Sequence, residues 1–425
     1  MKQYCVISAP PDTYSGYGGR SRDFIKAIYE LKKDEWDIQV MPQRWGATAW
    51  GFLEDNKEEW GWMIPLLLKG PLTRTPDIWF QITVPNEFQH VGKVSIGVTA
   101  GIETTVCDAP WIEGCNRMDL TLVSSQHAKT VLQATSYGKK DSPNEIIKLE
   151  KPVEVLFEGV DLNKYFHIKD QDLPETDLIL DLDEIKEEFC YLFVGHWLQG
   201  EFGEDRKNVG KMIYTFLETF KGKKNKPALI MKTSSTTNCI MDRDEMLKKI
   251  NIIKESIVGD LPNVYLIHGD LEDADMNHLY NHPKVKAMIS FAKGEGYGRP
   301  LAEFCLSKKP IIASGWSGQI DFLDGEFAVL IPGELTQTHP SAQSQGLILP
   351  GALWFTIDHN LAAKAMEDVF AHYKKYEERG KRQGHKIKTE FSFDNMVLFL
   401  KGYLDKYANV PKQVEFKLPQ LTKLS

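Results

Sequence analysis

The chain has 425 residues, of which 42% are hydrophobic and 26% charged, with a net charge of −8. That length exceeds one comfortable core and points to two domains of ordinary size. The acidic balance argues against a protein whose main task is gripping a long duplex, because neutralising phosphates needs a basic surplus.

The opening "MKQYCVISAPP" has too short an apolar run for a signal peptide and reads as a first strand. A glycine-rich "SGYGGRSR" and an amphipathic "DFIKAIYELKK" follow it, giving strand, loop and helix. Further strands are predicted at "DIQVMP", "IWFQIT", "VSIGVTA", "LTLVSS" and "PVEVLF". The segment "SSQHAKTVLQATSYG" reads as a helix with Ser125 as N-cap and Gly138 as its stop. The acidic stretch "HIKDQDLPETDLILDLDEIKEE" reads as an irregular domain junction. A second series then alternates strands ("CYLFVGHW", "ALIMKT", "NVYLIHG", "VKAMISFA", "PIIASG") with helices ("NVGKMIYTFLETFKG", "DRDEMLKKINIIKESIVG", "MNHLYNHP", "RPLAEFCLSK"). A last helix, "FDNMVLFLKGYLDKYA", precedes an extended polar tail. This is the pattern of an α/β protein with parallel sheets. The expected division is 1–168, a link at 169–188, 189–390, and a C-terminal helix and tail at 391–425. Two doubly wound halves imply a cleft at the carboxyl ends of their strands.

"GEGYGRPLAEF", Gly294 to Phe304, lies at that edge, directly after a buried strand. Pro300 suits a first helical turn, which places Glu303 about one turn inside, its side chain leaning back toward the loop. Glu295 and Glu303 can then face one crevice, where carboxylates accept hydrogen bonds from the neighbouring hydroxyls of a ribose or a hexose. Gly296 and Gly298 let the backbone approach a ligand, with amides beside a helix's positive end suited to a diphosphate. The plainer alternative is a helix-capping glutamate and a solvated loop glutamate.

The run "EGYGRPLAEFCLSKKPIIASGWSGQIDFL", which ends in Gly318 and Asp321, resembles the retaining GT-B glycosyltransferases of family four (glycosyl transferases group 1), which include sucrose and glycogen synthases. Tyr297 stands for the usual Phe and Phe304 for the usual Ala. "YLFVGHWLQGEFGEDRKNVGKM" is similar to the start of their donor domain, with Arg206 and Lys207 matching the residues that touch the diphosphate. The usual G-R-L is here Gly195–His196–Trp197, without the arginine. "SGYGGRSRDF" resembles their amino-terminal glycine loop, with Gly16 at the point of closest approach. "PVEVLFEGVDLNKYF" resembles the motif closing their first domain, with Glu158 in place of Asn.

The resemblance implies two Rossmann-like domains facing each other across a cleft, with the C-terminal helix returning to the first. It implies transfer of a sugar from a nucleoside diphosphate to an acceptor hydroxyl, with retention and without a metal or other cofactor. Glu295, Lys207 and Arg206 are then the expected catalytic residues. Glu303 is expected at the ribose, the amides of Gly296, Tyr297 and Gly298 at the sugar and Gly16 at the diphosphate. His268, at the end of its strand, reads equally as a contact to the base and as a satisfied loop histidine. The family's usual histidine near Ile102–Glu103 is missing, leaving Glu103 as the candidate acceptor contact. The acceptor is a glycan, a lipid-linked hydroxyl or another alcohol.

Three rival readings stay open. A glycoside hydrolase would also use two carboxylates, and a non-catalytic module would bind glycan without a donor. A phage-type enzyme acting on a hydroxymethylated DNA base is permitted by the tryptophan-rich first domain and opposed by the acidic charge. Asp181 and Asp183 form a superficial D-x-D without supporting motifs, so no metal is expected there. "KKYEERGKRQGHKIK" reads as a solvated helix face rather than a nucleic-acid stripe. Trp45, Trp50, Trp60 and Trp62 fit a sugar-stacking wall and core anchors equally well. The six cysteines are scattered, with no C-x-x-C pair and only Cys107 near Cys115, which fits a reducing, cytoplasmic setting. No window approaches the roughly 20 apolar residues of a membrane-spanning helix.

Overall fold

The computed structural model describes residues 2–46, 48–139, 142–235 and 239–408. Two six-stranded parallel sheets organise the chain. In the first, the spatial order is Trp36–Pro42, Gln3–Ala9, Ile78–Ile82, Val94–Thr99, Leu120–Val123 and Val153–Val155. In the second it is Val264–Ile267, Ala228–Lys232, Cys190–Val194, Val285–Ser290, Ile311–Ser314 and Val329–Ile331. Counting the sheet strands within each half, the orders are 2-1-3-4-5-6 and 3-2-1-4-5-6, two variants of the doubly wound plan. Helices cover both faces, so central strands are apolar on both sides. Val94–Thr99 is buried along its whole length. Because neighbours run parallel, all carboxyl ends of a sheet lie along one edge, where the loops that carry chemistry collect.

Local chemistry accounts for the first of these connections. Ser15 is extended and its hydroxyl accepts from the Gly18 amide at 2.9 Å, starting the helix at Gly16 and carrying it to Lys32, so the stretch expected as a glycine-rich loop forms the first turns of the helix instead. Ser125 likewise caps Gln126–Ala134. That helix ends sooner than expected. Thr135 is already extended, its amide closing on the Val131 carbonyl, and Ser136–Lys139 pairs as a strand with Ser142–Lys148 instead of continuing to Gly138. Tyr137 secures the exit by donating to the Cys107 carbonyl.

The junction is also more ordered than its composition suggests. Thr176 caps a short helix, Asp177–Asp183, which buries Ile179 and Leu182 and packs against the helix Asp273–Asn281. Asp183 accepts from His282 at 3.2 Å, which gives this acid a structural partner, while Asp181 is exposed. Among the described residues, no group of three or more His, Cys, Asp or Glu could hold a metal ion. The basic run falls on the helix Tyr373–Glu390, where Lys381 pairs with Glu378 and Arg379 donates to the Glu326 and Ala328 carbonyls.

The final helix, Phe393–Tyr407, returns to the first half. Tyr403 donates to the Val155 carbonyl at 2.8 Å, Tyr407 to Glu154 at 3.0 Å and the buried Arg20 to Met396 Sδ at 3.3 Å. The expected polar tail from 409 onward lies outside the described residues. Among those described, no helix is long and apolar enough to cross a membrane.

Candidate active site

The expected site residues gather where the second half's carboxyl edge meets the first half. Leaving the strand Val285–Ser290, the chain is fixed by backbone bonds from Lys293 N–H to Arg206 O (2.7 Å) and from Phe355 N–H to Lys293 O (2.9 Å). The Glu295 amide donates to Ser317 Oγ at 2.9 Å, and the Glu295 carbonyl accepts from Gly318 N–H at 2.9 Å. Gly298 has φ +99°, a left-handed conformation that suits glycine. It launches the helix Arg299–Cys305, with Pro300 in the first turn and Glu303 buried one turn in.

The glycines have a second cause that the sequence did not disclose. A Cβ on Gly294 would lie 1.9 Å from the Glu103 carbonyl oxygen, and one on Gly296 would lie 2.6 Å from that of Ala100. Glycine is therefore required at Gly296 by direct contact between the two halves, not only by approach of a ligand. Other contacts hold the same seam. Gln126 N–H donates to Asp321 at 2.7 Å, Thr105 N–H donates to Leu353 O at 2.9 Å, and His127 meets Trp316 edge-on at 4.5 Å. The hairpin Gly333–Gln337/Leu353–Ile357 that carries Leu353 was not anticipated. Substituting Gly294 by Ala cannot be absorbed by rotating a side chain, because the obstacle is backbone. Its expected outcome is a larger radius of gyration in small-angle scattering as the halves part, with turnover falling at least about tenfold; overpacking of this kind costs roughly 1–3 kcal/mol. An unchanged radius with full activity would contradict the contact.

Glu295 is buried among cations. One carboxylate oxygen is bonded to Lys207 Nζ and the other lies 3.3 Å from Arg206, which also donates to the Gly294 carbonyl at 2.9 Å. Arg206 reaches Glu103 of the first half at 3.7 Å. Burial pushes the Glu295 carboxyl up, but the attraction of Lys207 and then Arg206 outweighs it and leaves the pKa below the ordinary carboxylate value. Both cations stand just before the helix Val209–Phe220, whose first amide donates to Asp205 at 3.1 Å. His196 stands where the resemblance would put an arginine, and burial and then Lys207 and Lys232 keep it toward its neutral form. Four of the expected residues, Glu103, Arg206, Lys207 and Glu295, thus form one ion cluster across the seam between the two halves.

Glu303 belongs to an adjoining group. It accepts from Arg299 Nε at 2.9 Å and from the Tyr280 hydroxyl at 3.3 Å, while Arg299 donates to Asp23 of the first helix at 2.6 Å. Burial pushes the Glu303 carboxyl up to about 7, against the opposing pull of Arg299. Gly19 also faces this arginine, at 3.4 Å from its NH1 to an ideal Cβ, whereas the space around a Cβ on Gly16 is open to 4 Å. His268, a candidate contact to the base, is turned onto Asp242 at 2.7 Å, and Asp242 also accepts from Ser235. Asp23, Tyr280 and Asp242 were missed. Arg299 sat in the quoted motif, but a lone charged residue beside a proline carries no signal of its partners.

No protein-family profile matches the chain, and no curated protein matches its sequence. Solved structures do match over nearly the whole length. A glycosyltransferase from Rickettsia africae superposes with a TM-score of 0.62 at 12% identity, covering 97% of this chain and 100% of its own. HepE from Anabaena, solved with UDP and glucose, gives 0.60 at 12% identity, covering 95% and 100%. Sucrose-phosphate synthase from Thermosynechococcus elongatus gives 0.59 at 12%, covering 95% and 99%. The chain has the GT-B fold. At these identities the likeness is one of fold.

Proposed function

We propose that the chain is a glycosyltransferase that moves a sugar from a nucleoside diphosphate to an acceptor hydroxyl, of the retaining, metal-independent family-four type. The observation that carries this reading is the placement of Glu295 between Lys207 and Arg206, with Glu303 on the next helix of the same edge. Neighbours of the same fold include HepE, solved with UDP-glucose, which supports a nucleotide sugar as donor. We assign 189–390 to the donor side and 1–168 to the acceptor side, joined by 169–188, with 391–425 returning to the first half.

The ion cluster suggests how the donor is received. An incoming diphosphate competes for Lys207 and Arg206, and its charge replaces that of Glu295. The carboxylate is then released to accept from hydroxyls of the sugar, assisted by the amides of Gly296, Tyr297 and Gly298. Gly16 leaves room for the diphosphate at the start of the first helix. Glu303 takes the ribose diol, and His268 lies on the base side. As the sugar–phosphate bond breaks, the fixed cations stabilise the leaving oxygen. The acceptor hydroxyl attacks from the same face and passes its proton to the departing diphosphate. Glu103 contacts the acceptor. A cytoplasmic site of action fits the cysteine pattern.

A panel of UDP-, GDP- and ADP-linked sugars tests the reading through thermal shift and nucleoside diphosphate release. One donor class is expected to stabilise the fold, by about 2.7 kcal/mol at a hundredfold excess over Kd, and to be consumed. No shift and no release with any donor would contradict the proposal. The raised Glu303 pKa adds a pH signature. Only the ionised carboxylate accepts from both ribose hydroxyls, so nucleotide affinity is expected to rise from pH 6 to 8, with its midpoint near the Glu303 pKa of about 7. Calorimetry across that range should show the rise, and Glu303→Gln should flatten it.

A further inference from the structure

The four tryptophans of the first half separate by position. Trp60 is a core anchor at 5% exposure, and Trp62 packs on Tyr29 at 4.9 Å, near the far end of the first helix. Trp45 and Trp50 differ from both. They follow the strand Trp36–Pro42 and so lie at the carboxyl edge, beside the start of the first helix. Trp45 is half-buried and stacks on Tyr17 at 4.0 Å with an interplanar angle of 28°. Trp50 is 40% exposed.

Their loop is pinned rather than loosely draped. Tyr14 N–H donates to Ala49 O at 3.1 Å, and Gly51 N–H to Asp12 O at 3.0 Å. Leu53 N–H donates to Asp12 Oδ1 at 2.8 Å, and Thr13 bridges to Trp50. A contact chain then runs from Trp45 to the candidate site. Tyr17 bonds Thr99 at 2.9 Å and accepts from Ala100 N–H at 3.2 Å, and Ala100 is the residue against which Gly296 packs.

We infer that Trp45 and Trp50 form a stacking floor for a neutral glycan, the acceptor of the transfer proposed above, on which this inference rests. Flat aromatic rings match the C–H faces of pyranose sugars, and a backbone-pinned loop presents them at little further ordering cost. Nucleic-acid bases also stack on such rings, but they bring phosphates that need a basic track. Between positions 43 and 50 the charged residue is Arg44, and it already lies over the Trp50 ring at 5.4 Å. The nearby charges are taken up within the protein: Asp12 caps the loop, Asp55 accepts from Tyr14, Arg22 donates to the Pro11 and Thr13 carbonyls, and farther along Glu103 faces Arg206 and Asp23 pairs with Arg299. That leaves a balanced surround, which suits an uncharged glycan better than a polyanion.

The test is calorimetry of the full chain with maltohexaose, cellohexaose and mannohexaose, and with a single-stranded DNA dodecamer. UDP, GDP and ADP are titrated alongside. At least one hexaose is expected to bind, and Trp50→Ala to weaken it about tenfold, in keeping with the loss of one aromatic stack. Trp50→Phe should restore most of the affinity, and nucleotide binding should be unchanged in both variants. Trp50 is surface-exposed, so its replacement spares the core, and Trp45→Ala gives a second reading. Hexaose binding indifferent to both tryptophans, binding of the dodecamer alone, or no binding at all would overturn the inference. Tryptophan-dependent glycan binding without any nucleotide affinity would keep the platform and remove the transferase reading.

Discussion

Glutamine in place of Glu295 is expected to lower turnover by roughly a thousandfold, the upper range for loss of one preorganised polar contact in an active site, with nucleoside diphosphate affinity retained. The asymmetry follows from the ion cluster. In the free protein Glu295 neutralises Lys207 and Arg206, so it competes with the diphosphate for the same cations. Removing its charge costs the sugar an acceptor and frees the cations for the phosphates. Affinity for the nucleoside diphosphate should therefore hold or improve while transfer collapses. The amide also keeps the shape of the site, but one buried positive charge loses its counterion. A fall in thermal stability is expected, of the order of 3 kcal/mol for a broken buried pair, and it should be recovered when nucleoside diphosphate is added. Steady-state kinetics and calorimetry on the same preparation check both halves. Equal losses in turnover and affinity would place Glu295 at the nucleotide instead.

The second large effect is expected from Glu303→Ala, and it runs the other way. If the carboxylate accepts from both ribose hydroxyls, each charge-assisted bond contributes about 1.5–3 kcal/mol, and losing both should weaken nucleotide binding by about a hundredfold or more. Turnover at saturating donor should survive far better, because the ribose is remote from the breaking bond. Arg299 retains its ion pair with Asp23 at 2.6 Å, so the substitution does not strand a buried cation. Donor titrations of the variant distinguish a rise in KM from a fall in kcat, and a fall confined to kcat would contradict the assignment.

Much of the fold was legible because its signals are local. Buried parallel strands read as apolar runs, Ser125 announced its helix, and Pro300 fixed a first turn. Errors arose where tertiary contacts override local preference. Thr135 ends its helix because the following residues pair with a strand whose position depends on the rest of the fold, and the acidic junction gains a helical turn from partners about a hundred residues away. The site shows the same division. Glu295 and Glu303 could be placed at a sheet edge from local pattern, and the longer motif around them singled them out. Their partners were not, since the Arg299–Asp23 pair joins residues 276 positions apart. The glycines of the loop were read as room for a ligand, while Gly294 and Gly296 also make room for the opposite half, a constraint no single sequence reveals.

A crystal structure with the nucleoside diphosphate of the active donor tests the central claim most directly. The account predicts ribose hydroxyls within about 2.6–3.2 Å of the Glu303 carboxylate, phosphate oxygens on Lys207 and Arg206, and Glu295 released from at least one of those cations. A nucleotide seated elsewhere, or one bound in the cleft while Glu295 and Glu303 keep all their present partners, would contradict it.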